Sequence, residues 1–165
     1  MTGQSDRQFD PQQHRFGDSR YFEDFHLGET FYIPSRTMSD AYFAAFQLAS
    51  GDNHPSHYDI EYCRARGHDG LLAHAFQVLC QTAPGAGTLP HQLGDSLLAF
   101  IEQSSRFLAP VYSGDTVYPL LEITALQPGR TTGVLVLRST VHNQRRQLVM
   151  EGEQKILIRK RHPEQ

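Results

Sequence analysis

Residues 71–85 read "LLAHAFQVLCQTAPG", and Leu71, Leu72, Ala75, Phe76, Val78, Leu79, Cys80 and Ala83 leave the segment almost no solvent face. A helix apolar nearly all round has to be buried. Its single polar stripe is His74, Gln77 and Gln81, at i, i+3 and i+7. Downstream the pattern changes to strands, "SLLAFIEQSSRFLAPV", "DTVYPLLEITAL", "TTGVLVLRSTVHN" and "QLVMEGEQKILIRK", separated by the turn signals "YSGD", "QPGR" and "NQRR". Four consecutive strands with short links predict an antiparallel meander. Upstream, "ETFYIPSR" at 29–36 reads as a first strand that Pro34 weakens or sends to a sheet edge. The sum is an α+β domain, a curved antiparallel sheet wrapped around a long buried central helix.

Between first strand and central helix, "SDAYFAAFQLAS" opens with Ser39 as an N-cap and repeats Tyr42, Phe43, Phe46 and Ala49 at helical spacing. Asp59 is placed to cap a short helix, "IEYCRAR", which Gly67 ends in left-handed geometry. The loop between these helices, "SGDNHPSHYD" at 50–59, carries Asp52 and His57 five residues apart. Fully extended chain would separate them by roughly 16 Å, too far to share one water. Gly51, Asn53 and Pro55 are residue types that fold a chain back. On spacing alone, an Asx-turn with a surface histidine and an acid–base pair are both open readings.

Length and composition narrow the choice. The 165 residues suit one domain with a real core, with a mobile tail expected over residues 1–20 and the domain over 21–165. A formal charge of −3, from 15 Lys+Arg against 18 Asp+Glu, offers no basic excess for a phosphate backbone, so nucleic acid is not an expected partner. No apolar run approaches the roughly 20 residues of a membrane span, and the first 20 residues lack an apolar signal core, so a cytoplasmic protein is expected. Cys63 and Cys80 show no metal or redox spacing and are expected as free thiols. The pair His54 and His57, three apart, suggests zinc only superficially, because a proline lies inside the non-helical pair and no acidic or thiolate set stands beside it. No metal is expected.

Over roughly residues 20–160 the chain resembles the MaoC-like dehydratases, including the (R)-specific enoyl-CoA hydratases. Their loop motif S-G-D-x-N-P-x-H is matched by "SGDNHPSH", and their helix beginning H-G by "HAFQVLC". "RYFEDFHLGE" is similar to their opening segment and "EQSSRFLAPVYSGDTVYPLLEITAL" to their central hairpin. The resemblance implies a hotdog fold, usually paired as a homodimer or higher homo-oligomer. It implies hydration of a trans-2-enoyl-CoA, or the reverse dehydration, with an acyl-CoA as substrate and no metal or redox cofactor. Asp52 is then the principal base and His57 its partner in proton delivery. The backbone at Ala75 is the oxyanion donor, and His74 is a further candidate beside it. Three positions depart from the pattern: His54 replaces the usual asparagine, Ala75 the usual glycine, and Cys80 a serine that supports some hydratase sites. Phe43, Phe46, Phe76 and Leu79 are candidates to line an acyl pocket, and Arg64, Arg66, Arg106, Arg145 and Arg146 to meet coenzyme A phosphates. Within the same fold, thioester hydrolysis and a non-catalytic acyl-binding or scaffold subunit are the alternatives.

Overall fold

The computed structural model describes residues 9–14 and 17–162. Of the expected mobile tail, residues 1–8, 15 and 16 lie outside the described residues, and Pro11–Gln13 forms a single 3-10 turn. At its end, Arg20 donates its backbone N–H to Gln92 O at 2.7 Å and its guanidinium to Glu29, Gln92 and Asp24 O at 2.5–2.8 Å.

Pro34 splits the first strand as its missing N–H requires. β1 spans Thr30–Tyr32 and β2 Arg36–Thr37, and both pair antiparallel with β4, Thr116–Pro128. Ser39 caps α1, Asp40–Ser50, by accepting the Tyr42 N–H, and Gly51 ends it at φ 73°, where a side chain would strain the backbone. Asp59 caps α2, Ile60–Arg64, by accepting the Tyr62 N–H at 2.9 Å, and Gly67 follows at φ 77°. Asp59→Ala should cost about 1 kcal/mol of stability, read from the midpoint of a denaturant melt.

α3, Ala75–Cys80, is the expected central helix, but it is six residues long rather than the long helix the apolar run suggests. His74 is its N-cap, and Pro84 prevents continuation by opening a separate 3-10 turn. Nor is the helix buried all round, as its apolar residues suggest. Gln77 and Gln81 are buried, Gln77 at 1 % exposure, whereas Phe76 is 70 % exposed and Cys80 is exposed. The polar stripe is enclosed and part of the apolar surface is open. A further short helix, α4, spans Leu89–Leu93.

Strands β3 (Leu97–Phe107), β5 (Thr132–Asn143) and β6 (Leu148–Arg159) complete a six-stranded antiparallel sheet of order β1-β4-β5-β6-β3, with β2 beside β4. The meander holds only for β4-β5-β6. β3 and β4 do not form the expected hairpin, because β3 pairs with β6 at the far edge. The reason is the segment 108–115, which Pro110 removes from the ladder and which crosses under the start of α3. Leu108 N–H donates to Val149 O, Ala73 N–H to Val111 O and Ser113 N–H to Leu71 O, all at 2.8–2.9 Å. Gly114, at φ 90°, then turns the chain into β4.

Two apolar clusters fill the inner side. One gathers Phe22, Phe25, Phe31, Leu121, Leu135, Leu137, Ile156 and Ile158 with α4, and the other Met38, Phe43, Val78, Val111, Val117, Val141 and Met150. Between them the sheet presents Ser139, Gly152 and Gln154, and Gln154 donates its side-chain amide to Thr82 O, just beyond α3, at 2.9 Å. No described helix is long and apolar enough to cross a membrane. Cys63 and Cys80 are free thiols.

Candidate active site

The loop after α1 does fold back. Asp52 Oδ1 accepts the His54 N–H at 3.3 Å, an Asx-turn, and Asn53 Oδ1 accepts from Gln47 at 2.7 Å. Pro55 opens a single 3-10 turn, Pro55–His57, whose fixed φ suits the first position. His54 is the cap of that turn: its Nδ1 accepts the Ser56 N–H at 3.4 Å and stands 2.8 Å from Ser56 Oγ. An imidazole thus does the local work of an asparagine side chain. Ser56 O in turn accepts from Leu72 N–H and the Cys63 thiol, tying the loop to the chain ahead of α3.

His57 Nδ1 lies 2.7 Å from Leu72 O, so it must carry a proton and donate it. That bond fixes the tautomer. The neutral ring then presents a lone pair at Nε2, 3.8 Å from Asp52 Oδ2. Burial, more than any other influence, holds the His57 pKa below the ordinary histidine value, with the neighbouring His74 and His54 adding to it and Leu72 O and Asp52 opposing. The contact is therefore not an ion pair at neutral pH. At 3.8 Å the two atoms are too far apart for a direct hydrogen bond and close enough to hold one water between them. Asp52 is half exposed and His57 mostly buried, as expected for groups at a cleft mouth.

His74, 2 % exposed, donates Nε2–H to Asp52 O at 3.1 Å and stacks on His57, centroids 3.6 Å apart and planes 21° apart. Phe46 and Phe43 pack against it at 5.0 and 6.4 Å. His74 accordingly fixes the positions of both Asp52 and His57. The three side chains bring potential ligand atoms within 4.8 Å of one another, a convergence that spacing did not predict. Metal ligation needs ring lone pairs converging on one point. Two nearly parallel stacked rings aim theirs side by side, and the His74 Nε2 is already bonded, so the trio does not fit an ion.

The pair opens on a cleft of about 400 Å³ lined by Asp52, His57, Leu72, Ala73, Ala75, Val78, Phe107 and the segment Ala109–Val111. Ala73 N–H is consumed by Val111 O, so the first donor facing the cleft is Ala75 N–H, which has no partner among the described residues. Of the residues singled out in the sequence, Asp52, His57, His74 and Ala75 meet here. His54 stands behind the loop, and Cys80, at the far end of α3, lines a different hollow with Phe100 and Gln154. Phe43, Phe46, Phe76 and Leu79 do not line the cleft. Phe107 and Ala109–Val111 do, and only the crossover of segment 108–115 brings them there.

The five arginines are elsewhere. Arg64 pairs with Glu61, Arg66 covers the Tyr62 ring at 3.5 Å, Arg106 pairs with Glu151, and Arg145 with Asp115 at 3.0 Å. Arg146 lines a larger hollow of about 590 Å³ with Tyr32, Tyr118 and His142, which holds no acid–base pair.

The chain is similar to several known proteins. The chain is 28 % identical over 145 residues to an (R)-specific enoyl-CoA hydratase of Rhodospirillum rubrum, spanning 84 % of this chain and 91 % of that one. It is 30 % identical over 126 residues to the (R)-specific enoyl-CoA hydratase of Aeromonas caviae, spanning 72 % and 85 %. The solved Aeromonas caviae (R)-hydratase superposes with a TM-score of 0.70 at 25 % identity, covering 81 % of this chain and 97 % of that one. An Archaeoglobus protein described as a monoamine oxidase regulatory protein superposes at 0.82 and 27 %, covering 90 % and 99 %. The sequence profile of the MaoC like domain matches residues 24–144, most of the chain, and the chain belongs to the MaoC-like family.

Proposed function

We propose that this protein adds water to a trans-2-enoyl-CoA to give an (R)-3-hydroxyacyl-CoA, and runs the reverse dehydration when the product accumulates. The observation that carries the reading is the His57 Nε2 lone pair, fixed by Leu72 O and 3.8 Å from Asp52 Oδ2 at the mouth of an apolar-walled cleft.

The water held between them gives its proton to Asp52 as its oxygen attacks Cβ. Negative charge moves to the thioester oxygen, where Ala75 N–H stabilises the enolate. Cα then takes a proton from the pair, so one proton is removed and one returned. His57 orients the water through Nε2, and His74 keeps both groups in place. The chemistry needs no metal or redox group, and the coenzyme A thioester is the substrate.

Incubation with a series of trans-2-enoyl-CoA esters tests this reading. Loss of the conjugated ultraviolet absorbance without thiol release is the expected result. Thiol release would instead mean thioester hydrolysis, and silence across the series a binding or scaffold role.

A homodimer belongs to the same proposal. β3 has one hydrogen-bonded neighbour, so its other edge is open. Leu98, Phe100, Ile101, Phe107 and Leu108 are exposed along it, and Phe76 of α3 is exposed as well. A second copy covers this surface, which is large for a monomer to leave in water. Ile101→Asp should convert the dimer to monomer, measured by sedimentation; an unchanged mass at micromolar concentration would place the interface elsewhere. The proposed compartment is the cytoplasm.

A further inference from the structure

His74 fixes the positions of Asp52 and His57, so whatever orients its ring acts on both. His74 is the N-cap of α3 and Gln77 the third residue of the helix, which puts the two side chains one turn apart on one face. The His74 ring does not cap the helix. It spans two partners instead, with Asp52 O 3.1 Å from Nε2 and Gln77 Oε1 3.4 Å from Nδ1. Both side chains are enclosed, His74 at 2 % exposure and Gln77 at 1 %.

A backbone carbonyl only accepts, so His74 Nε2 carries a proton. In the neutral ring Nδ1 then bears a lone pair, and that lone pair faces a second acceptor, Gln77 Oε1. At the other end of the same amide, Gln77 Nε2 is buried without a hydrogen-bond partner. Native interiors rarely leave such a donor unpaired. Two arrangements repair the contact. A second proton on Nδ1 would bury a cation face to face with the His57 ring, 3.6 Å away, and would still leave Gln77 Nε2 unpaired. Asp52, the acid of this trio, meets the ring at Nε2 and not at Nδ1. Turning the Gln77 amide about costs less. Its N–H then donates to the Nδ1 lone pair, no charge is buried, and the unpaired atom becomes a carbonyl oxygen, which interiors tolerate better than an unpaired N–H.

We infer that Gln77 is a positioning residue of this site: its side-chain N–H donates to His74 Nδ1 and holds the His74 ring, as the Nε2–H tautomer, between Gln77 and Asp52. His57 carries its proton on Nδ1, so the stack joins two histidines of opposite tautomer. Gln77 is not among the residues that line the cleft. It acts through His74 on the 3.8 Å gap between His57 Nε2 and Asp52 Oδ2. Its effect on turnover rests on the cleft being an enoyl-thioester site; the hydrogen bond itself does not.

Side-chain 15N spectra of the wild-type protein in mild base read both tautomers. The expected result is His74 protonated at Nε2, with an Nδ1 that accepts a hydrogen bond, and His57 protonated at Nδ1. Gln77→Leu keeps the bulk of the side chain and removes the donor. It should move the His74 Nδ1 signal toward that of a free lone pair, and lower kcat for enoyl-CoA hydration by roughly 10-fold to 10²-fold with KM little changed. Gln77→Met, flexible enough to fill the same space, takes its place if Gln77→Leu does not fold. A wild-type His74 protonated at Nδ1, alone or together with Nε2, overturns the inference. So does a His74 signal that stays put in the variant, or a shifted signal with an unchanged kcat. If no enoyl ester is hydrated, the reading of the cleft fails, and the shift of the His74 and His57 signals between wild type and variant still decides whether Gln77 positions the pair.

Discussion

Asp52→Asn should retain the fold and lower the turnover of enoyl-CoA hydration by roughly 10²-fold or more. The fold is retained because the carboxylate contributes little to it. Its side chain is half exposed, its one ladder-like contact is a 3.3 Å turn bond from His54 N–H, and an asparagine oxygen accepts that bond equally well. His74 holds the backbone carbonyl of Asp52 rather than its side chain, so the loop keeps its position. What is lost is the acceptor for the water proton, and an amide cannot substitute at neutral pH. The loss should fall on kcat with KM little changed, since Asp52 is asked to act on the attacking water and not to hold the acyl chain. A wild-type rate in Asp52→Asn would remove Asp52 from the role of base.

His57→Gln should lower turnover by a similar factor, roughly 10²-fold to 10⁴-fold, and should also change the pH profile. Burial keeps the His57 pKa below the ordinary histidine value of about 6.5. The neutral, working form therefore persists into mild acid, and the acid limb of kcat/KM should begin below about pH 6.5. Stability carries the same signature. Below the ordinary value the unfolded chain gains a proton at this position that the folded chain resists, so the contribution of neutral His57 is complete above that pH and is lost as pH falls from it through the folded value. His57→Gln abolishes this part of the slope. Midpoints of denaturant melts between pH 7 and pH 5 measure it, and equal slopes in the two proteins would show that His57 is not held neutral by the fold.

Much of this site is legible in the sequence where the determinants are local. Ser39, Gly51, Asp59 and Gly67 each fix a helix end through their own geometry or side chain, and Pro34 interrupts β1 for want of one N–H. The loop motif places Asp52 and His57 on one turn, and the residues between them are of the kind that fold it. Features set by long-range pairing were not legible. Nothing near "SSRFLAPV" says that β3 pairs with β6 and not with β4, and the crossover that follows is what brings Ala109–Val111 to the cleft. The run around α3 reads in one dimension as a helix apolar nearly all round and therefore wholly buried, yet in the fold its polar stripe is buried while Phe76 is exposed. Cys80 and Ala75 are close in sequence but face different hollows because α3 carries them to its opposite ends.

Asp52 and His57 are held to act as one unit on one water, and the double variant Asp52→Asn/His57→Gln tests that most directly. Groups that share a single step lose little more together than apart. Turnover of the double variant should lie within about threefold of the slower single variant. Losses that multiply, with the double variant slowed by the product of the two single factors, would show two independent contributions and contradict a shared water.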